Sequence, residues 1–577
     1  GIDVVYYATG RSVEYDFLVE PGANPRQIEL AFSGVDGLRV DRNGDLVVGA
    51  GGKEFRQHRP RVFQGSMEIE ASYRITELGT VNVDVSEYDP LIPLRVDPVV
   101  DFSTYLGGPG EDYLQDIAIA PDNNIILFGS TQSPASPALD PFQQPSIVGL
   151  APILLKMSGD GRRILFYTIL GANSWDSASS ITVASDGTLF VAGSTRSPNF
   201  PLKNPFQSTF TTVFGSSFLA RISSDSRTLV FSSYLGGSIQ DTIWSIARDA
   251  NDNVYAAGYT DSPDFPVMTA LQTKYGTQSD AFLTKIDKSG RMVFSTYFGG
   301  VGRQSFRTIV VRPQGDLVLV GESSTTDYPL KDAIQTTITP RTGYATSTLT
   351  ILTGDGRDIT YSTFLAGDTA SGGQAVALDS TGNIYVAGVI LDPGLPLKNP
   401  FQQGLGGGLN SYLIKLDSSG KTLLYSSYVG SMEVSDLKID ATDHVYLTGS
   451  ANHSDIVLKG SPNPFRGGSV YNSDAVVMRF SPDARTLDYS VILGGGSGEH
   501  AVGIAFNSEG HAFIAGTTGS VDFSVKNSYQ RLFGGGFDGF VAKIVPETIQ
   551  SMSPILVSPL RMVFSYTIGG PTSGAQT

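Results

Sequence analysis

The feature that most constrains the fold of this chain is an internal repeat of about 64 residues, which occurs seven times. Each copy ends on a phrase rich in aromatic and hydroxyl side chains, first seen as Phe102-Ser-Thr-Tyr-Leu-Gly-Gly108. The phrase returns at intervals of 63 to 67 residues, starting at Phe166, Phe231, Phe294, Tyr361, Tyr425 and Tyr489. A fixed period of this length means that one supersecondary unit has been copied, so we expect a repeat architecture.

Four strand-like segments recur in the same order within each copy. An apolar run such as residues 180–184 leads into a turn rich in Asp, Asn and Gly, and an apolar-Ala-Gly segment such as 255–258 follows it. A connection containing Pro then precedes a third segment such as 280–286, and the aromatic phrase is the fourth. Alternating apolar residues bounded by turn formers are typical of strands and hairpins. The unit therefore predicts four antiparallel strands with no helix between them.

Four antiparallel strands per copy are what a propeller blade requires, and seven blades fall within the usual range. We therefore predict an all-β fold: a seven-bladed β-propeller of four-stranded antiparallel blades, preceded by a small β-domain. A parallel β-helix is disfavoured because it would not repeat this hairpin order. The first copy contributes only its fourth strand, so we expect residues 101–106 to supply the outer strand of the last blade, formed by residues 499–545. This pairing would close the ring and cover two sheet edges.

The repeat divides the chain into three regions. Residues 1–97 are rich in alternating strands and predict a separate β-rich domain. The propeller is expected over residues 98–545. Residues 546–577 leave it through Pro554 and Pro559 as a linker with one strand-like stretch at 560–566, too short to build a core of its own.

Composition removes several classes of function. The chain has 577 residues, a net charge of −16 and no stripe of Lys or Arg, so nucleic acid is an improbable partner. It has no cysteine, which excludes disulfides, thiolate metal sites and thiol nucleophiles. No apolar run reaches the 18 or so residues of a membrane-spanning helix. The first residue is Gly rather than Met, so a leader peptide could have been removed.

The aromatic phrase, the apolar-Ala-Gly strand and the connection Ser262-Pro-Asp-Phe-Pro266 together resemble the bacterial β-propeller repeats known as SBBP repeats. The resemblance covers residues 101–545. Residues 1–98, with motifs such as Glu14-Tyr-Asp-Phe17, are similar to part of the domain that precedes these repeats, and residues 558–566 are similar to the first strand of an immunoglobulin-like module. Both ends are expected to be cut relative to the family pattern. The resemblance implies an exported or cell-surface bacterial protein and supplies no catalytic residues.

A search for chemistry finds no catalytic motif, and we predict no catalytic residue, no metal site and no cofactor. The best candidate site is the link between the outer strand of one blade and the inner strand of the next. Aligned copies place the carboxylates Asp112, Asp176, Asp241 and Glu499 at one equivalent position in that link, close to both tryptophans. The candidate ligand-binding residues are Asp112, Tyr113, Trp175, Asp176, Asp241, Trp244, Glu499 and His500.

Two interpretations of this candidate site stay open. The acidic and aromatic residues could bind a sugar or a cation, or the carboxylates could simply accept hydrogen bonds from turn amides. The Asp- and Asn-rich hairpin turns could likewise bind calcium, although turn formation alone explains them. We expect an exported, non-enzymatic binding or structural scaffold with an unknown protein or glycan partner. The alternative is a carbohydrate-active enzyme or lectin that uses the acidic and aromatic face. The sequence does not predict an oligomeric state.

Overall fold

A computed structural model describes residues 2–544 and 561–565 of the chain. Within the first range it leaves out residues 10–11, 20, 34, 43, 51–52, 58, 61, 65–66, 77–78, 91–93, 97–99, 134–148, 172–173, 213, 340–343, 368–369, 452–455 and 460–472. The chain divides into two compact units. One consists of Gly1–Val99, Lys459–Pro464 and Pro546–Thr577, and the other of Val100–Leu458 and Phe465–Val545.

The first unit is built from short strands that follow the alternating pattern of the sequence. They are β1 (Ile2–Thr9), β2 (Ser12–Val19), β3 (Glu29–Ser33), β4 (Gly37–Val40), β5 (Leu46–Ala50), β6 (Lys53–Gln57), β7 (Val62–Gln64), β8 (Met67–Ile69), β9 (Ala71–Ile75), β10 (Thr80–Val85) and β11 (Leu94–Val96). A 3-10 turn, Pro25–Gln27, is capped by the side chain of Asn24. Ile28, Leu30, Val62 and Val81 are fully buried in its core.

The strands of this unit form three sheets, ordered β1-β2-β11-β7-β8, β3-β10-β9 and β4-β5-β6. One further strand extends the second sheet. It is the stretch Arg561–Ser565, which pairs parallel with Glu29–Ser33. The segment that the sequence assigns to the start of an immunoglobulin-like module thus extends a sheet of the N-terminal unit, and the module itself stays a prediction.

The second unit contains seven four-stranded antiparallel sheets among its described residues, and these are the blades of the propeller. From the innermost strand outwards, blade one is β13 (Asp112–Ile119), β14 (Ile125–Thr131), β15 (Ala151–Met157) and β16 (Ile164–Ile169); blade two is β17 (Asp176–Val183), β18 (Leu189–Thr195), β19 (Ser216–Ile222) and β20 (Leu229–Leu235); blade three is β21 (Asp241–Arg248), β22 (Val254–Thr260), β23 (Asp280–Ile286) and β24 (Met292–Phe298); blade four is β25 (Gln304–Val311), β26 (Leu317–Ser323), β27 (Thr346–Leu352) and β28 (Ile359–Phe364). Blade five is β29 (Ser371–Leu378), β30 (Ile384–Ile390), β31 (Asn410–Leu416) and β32 (Leu423–Gly430); blade six is β33 (Met432–Ile439), β34 (Val445–Ala451), β35 (Asp474–Phe480) and β36 (Leu487–Leu493); blade seven is β37 (Glu499–Phe506), β38 (Ala512–Thr518), β39 (Asp538–Ile544) and β12 (Val100–Leu106). The predicted seven-bladed all-β fold is confirmed.

The ring closes through blade seven, whose outer strand comes from the start of the propeller. Strand β12 pairs antiparallel with β39, with Thr104 opposite Val541. The closure has its own core, because Phe102 is buried and its ring lies 6.2 Å from that of Phe513. The start and end of the propeller are therefore held in one sheet by hydrogen bonds and by apolar packing.

Neighbouring blades are joined near the channel by side chains at a bulge in the inner strand. In β13 the bulge falls between Leu114 and Asp116. The Oδ2 atom of Asp116 accepts a hydrogen bond from the backbone N–H of Ile181 in blade two, at 2.8 Å. Asp436 in blade six accepts the equivalent bond from Ile504 in blade seven, at 3.2 Å. None of the helices that the structure describes is long and apolar enough to cross a membrane.

Candidate functional site

The four carboxylates singled out in the sequence occupy the first position of an inner strand in blades one, two, three and seven. All four are buried, with 4% of Asp112, 1% of Asp176, none of Asp241 and 1% of Glu499 exposed. They lie in different blades, and the hydroxyl groups that donate hydrogen bonds to each one belong to its own blade. Their shared position therefore reflects a contact that each blade makes separately.

Each carboxylate accepts hydrogen bonds from a Thr and a Ser hydroxyl of its own blade, and those of Asp112, Asp241 and Glu499 also accept one from a Gly N–H of the incoming link. For Asp241 these are the hydroxyl of Thr260 at 2.5 Å, the hydroxyl of Ser262 at 3.1 Å and the N–H of Gly237 at 2.8 Å. Glu499 receives equivalent bonds from Thr518, Ser520 and Gly495. We call this arrangement the acid clip, because it fastens the incoming link to the end of the second strand. Asp112 and Asp176 also bind the Thr and Ser of their own blades in this way.

Burial changes the proton affinity of two of these acids. Burial raises the pKa of Asp241 to about 6, although the bonds from Thr260 and Gly237 oppose the rise. Burial likewise raises the pKa of Glu499 to about 7, again against its three hydrogen bonds. Since removal from water disfavours the charged form, these values follow from the closed surroundings of the clip.

The two tryptophans have different environments. Trp175 precedes Asp176 in the link into blade two and is 53% exposed. Trp244 lies in β21, where the guanidinium carbon of Arg307 stands 3.5 Å from its ring centre and the ring of Tyr259 lies at 5.0 Å. One indole is thus open to solvent, whereas the other is covered by a stacked cation.

The two remaining candidates make local contacts. The hydroxyl of Tyr113 donates to Glu111 Oε2 at 3.0 Å, and its ring lies 5.7 Å from that of Phe537. The ring nitrogens of His500 lie 3.1 Å and 3.0 Å from the hydroxyls of Ser435 and Ser450. Burial lowers the pKa of His500. Tyr113 lies in blade one and His500 in blade seven, whereas Trp175 lies in the link into blade two and Trp244 in blade three.

Trp175, Asp176 and Asp241 do meet at one cleft of about 400 Å³ between blades two and three. We call it the Trp175 cleft; its remaining lining residues are Leu150, Ser177, Ser194, Arg196, Phe214, Gly215, Gln240 and Thr242. Phe214 is 61% exposed and was missed by the sequence analysis. A signal existed, because aromatic residues also stand one or two places ahead of the third strand at Tyr344 and Phe537.

A second cavity, of about 1050 Å³, spans blades three to five and includes Trp244 and Tyr259. Gln240 connects the two regions, since its side-chain N–H donates to the hydroxyl of Tyr259 at 2.8 Å. Arg307 is held over Trp244 and is paired with Glu322 at 3.4 Å. Trp244 here supports a cation rather than offering a free aromatic face.

The Asp- and Asn-rich turns are explained by their own hydrogen bonds. Asp249 accepts from the N–H groups of Asn251 and Asn253 at 3.0 Å and 2.9 Å, which is the usual Asx arrangement. Lys285 adds a charge contact with Asp249 at 3.3 Å. Within the described part of the chain, no group of three acidic, His or Cys side chains is placed to hold a metal ion.

Comparison with known families agrees with the repeat. Residues 230–266 match the model of the beta-propeller repeat SBBP, and residues 1–99 match a domain of unknown function, DUF7948. The resemblance to SBBP repeats is thus confirmed over residues 230–266, and the chain is a β-propeller protein whose residues 1–99 match this N-terminal domain. No curated protein matches the chain.

Several solved structures have a partly similar course of chain. They include the WD40 repeats of RRP9, with 10% identity, a TM-score of 0.42, and coverage of 78% of this chain and 99% of that one. Another is the structure of U3-55K, with 11% identity, a TM-score of 0.43, and coverage of 78% and 100%. A protein of unknown function from Dyadobacter fermentans has 10% identity, a TM-score of 0.37, and coverage of 77% and 99%.

Proposed function

We propose that this protein is an exported or cell-surface scaffold that binds a protein or glycan partner without chemical turnover. The observation that carries the proposal is the Trp175 cleft. Trp175 and Phe214 are more than half exposed on one cleft, at 53% and 61%. Many large aromatic side chains of the blades are buried in the cores, and two exposed aromatic rings at one concave site are typical of binding surfaces.

The acid clips support a binding role over a hydrolytic one. A glycosidase needs two carboxyl groups that face the same substrate groove. The two that line one cleft, Asp176 and Asp241, are buried, and each accepts hydrogen bonds from a Thr and a Ser hydroxyl of its own blade. They are therefore engaged in holding the blades together, and the enzymatic version of the alternative finds no support from them.

Export is supported by the family resemblance, and the all-β architecture without cysteine is compatible with it. Fractionation tests this part directly. Antibody against the chain should detect it in the culture medium or on intact cells of the source organism, where added protease would remove it. Detection only in the cytosol would contradict the proposed location.

Retention on the cell surface tests the binding part. Purified chain should bind to intact cells and to isolated envelope, and Trp175→Ala combined with Phe214→Ala should reduce the retained fraction by about tenfold or more. Tyr529→Ala is the matched control, because Tyr529 is an exposed aromatic, at 47%, that lies in blade seven outside the cleft. Equal retention of all three proteins would refute the role of this cleft.

A further inference from the structure

We infer that the Trp175 cleft binds a pyranose unit of a glycan, with the sugar stacked on Trp175 and Phe214. This inference rests on the proposed function and specifies its ligand. Its basis is the combination of two exposed aromatic rings with a polar lining in a cleft of about 400 Å³. That volume lies within the range of small-ligand sites.

The cleft is polar apart from its aromatic rings. Of its 11 lining residues only Leu150, Trp175 and Phe214 are apolar side chains larger than Gly. A pocket that anchors an apolar peptide side chain is lined predominantly by hydrophobic groups. A pyranose has one apolar C–H face and a rim of hydroxyls, so two aromatic platforms on a polar surface fit it better.

Charge in the cleft also favours a hydroxyl-rich ligand over a cation. Asp176 and Asp241 accept bonds from Thr and Ser hydroxyls, so their oxygens are already satisfied. Arg196 is exposed and is the one basic side chain among the lining residues. A hydroxyl or carboxylate group of a sugar could accept hydrogen bonds from the N–H groups of the Arg196 guanidinium. The side chains of Gln240, Ser177 and Ser194 add donors and acceptors, the two serine hydroxyls lying 2.8 Å apart.

The backbone at Trp175 is fixed by hydrogen bonds before any ligand arrives. Its carbonyl oxygen accepts from the N–H of Arg196 at 3.0 Å, and the N–H of the next residue, Asp176, donates to Leu150 at 2.9 Å. A Cβ at Gly149 would lie 3.0 Å from the indole Nε1, so this glycine allows the backbone to approach the ring. Because this backbone is already ordered, binding on Trp175 loses little backbone entropy.

The chain has two tryptophans, so its fluorescence tests the inference directly. Trp244→Phe leaves Trp175 as the sole indole, and Trp244 lies outside the cleft. Soluble hexaoses of β-1,4-linked glucose, N-acetylglucosamine and mannose, and of uronic acids, are the probes. At least one of these hexaoses should change the fluorescence emission of Trp175 in a saturable way and should protect Trp175 from quenching by acrylamide. The uronate arm shows whether Arg196 selects a carboxylate, because Arg196→Gln should then weaken binding of that arm alone.

The same binding, measured calorimetrically on the full chain, should weaken about tenfold or more in Trp175→Ala, and in Phe214→Ala, while Tyr529→Ala binds as the unmodified chain does. A sugar that binds equally well to Trp175→Ala overturns the inference. If no hexaose binds but cell-surface retention still depends on Trp175, the ligand is a protein; the glycan inference falls and the proposed function stands. If retention also fails to depend on Trp175, both fall.

Discussion

Replacing Asp280 by Asn should stabilise the propeller at neutral pH. Asp280 is the first residue of the third strand of blade three and is fully buried. Its Oδ2 accepts from the N–H of Gly276 at 2.8 Å, whereas its Oδ1 has no hydrogen-bond partner among the described residues. The chain itself contains the replacement, because blade five has Asn410 at the equivalent position. Asn410 accepts from Gly406 at 2.7 Å and donates to the carbonyl of Gly408 at 2.9 Å.

The expected magnitude follows from the proton affinity of the buried carboxyl. Burial raises the pKa of Asp280 from 3.8 to about 6, against the effect of the Gly276 bond and with a further rise from Asp327. One pKa unit corresponds to about 1.4 kcal/mol, so ionising Asp280 costs the folded state up to about 3 kcal/mol. An acid with a raised folded pKa contributes full stability below its unfolded pKa of about 4 and loses it as the pH rises through 6. The gain from Asp280→Asn should therefore be near zero at pH 4 and reach about 1–3 kcal/mol at pH 7.5.

Urea unfolding at several pH values between 4 and 8 measures this difference. Trp244 lies in the same blade as Asp280, so a Trp175→Phe background gives a fluorescence signal from blade three alone. Asp225→Asn is the control, because Asp225 is an exposed turn residue whose pKa is lowered by its bond from Ser223. If Asp280→Asn destabilises the chain at pH 7.5, or if its effect is independent of pH, the assignment of a costly buried charge is wrong.

Two further predictions test the packing of the ring. Gly236→Ala should destabilise the propeller by about 1–3 kcal/mol in urea unfolding, since the new Cβ would lie 2.5 Å from both Asp241 Oδ2 and Ser216 Oγ. Gly404→Ala is the neutral control, because its Cβ would have no atom within 4 Å. Equal destabilisation by the two substitutions would refute the steric explanation. Phe102→Ala should cost about 3–5 kcal/mol because it empties the core that closes the ring. Val521→Ala is the control, because this residue is 77% exposed and its replacement should leave the urea unfolding midpoint unchanged. A small effect of Phe102→Ala would mean that the closure of the ring contributes little to stability.

The sequence predicted the blades because the repeat carries its own register. The third segment of the fourth copy, for example, was expected at 280–286, and the strand there is Asp280–Ile286. This strand is buried between two sheets, so its positions are occupied by apolar residues in a pattern that can be seen in the sequence. The connections between second and third strands have no such periodicity. The exposure of Phe214, which lies in one of them, does not follow from strand periodicity; the available signal was that Tyr344 and Phe537 also stand just ahead of a third strand.

The partners of the buried acids could have been found by comparing copies with one another. Where the inner strand begins with an acid, a Thr follows 19 residues later and a Ser 21 residues later, as in Asp241, Thr260 and Ser262. Where the inner strand begins with Met432, the position of the Thr is taken by Ala451. The two positions thus vary together inside one chain. What the sequence could not show is that the hydroxyls enclose the carboxylate, because enclosure depends on how the link folds back over the strand.

The acid clip and the aromatic platform are linked by chain position, and this explains why they occur on the same face. Trp175 immediately precedes Asp176, and the clip at Asp176 fixes the backbone on both sides of the cleft: Asp176 binds Thr195 and Ser197, and Arg196 between them donates to Trp175. A rigid rim is therefore a by-product of the bonds that hold the blade together. Because the rim is already ordered, changing the exposed residue ahead of the acid can change the ligand without disturbing the blade. In the link into blade three the corresponding residue is Gln240, which is joined to Tyr259 instead. The same clip thus stands next to an exposed aromatic ring in one blade and a polar contact in the next, which is how near-identical repeats can differ from blade to blade at this rim.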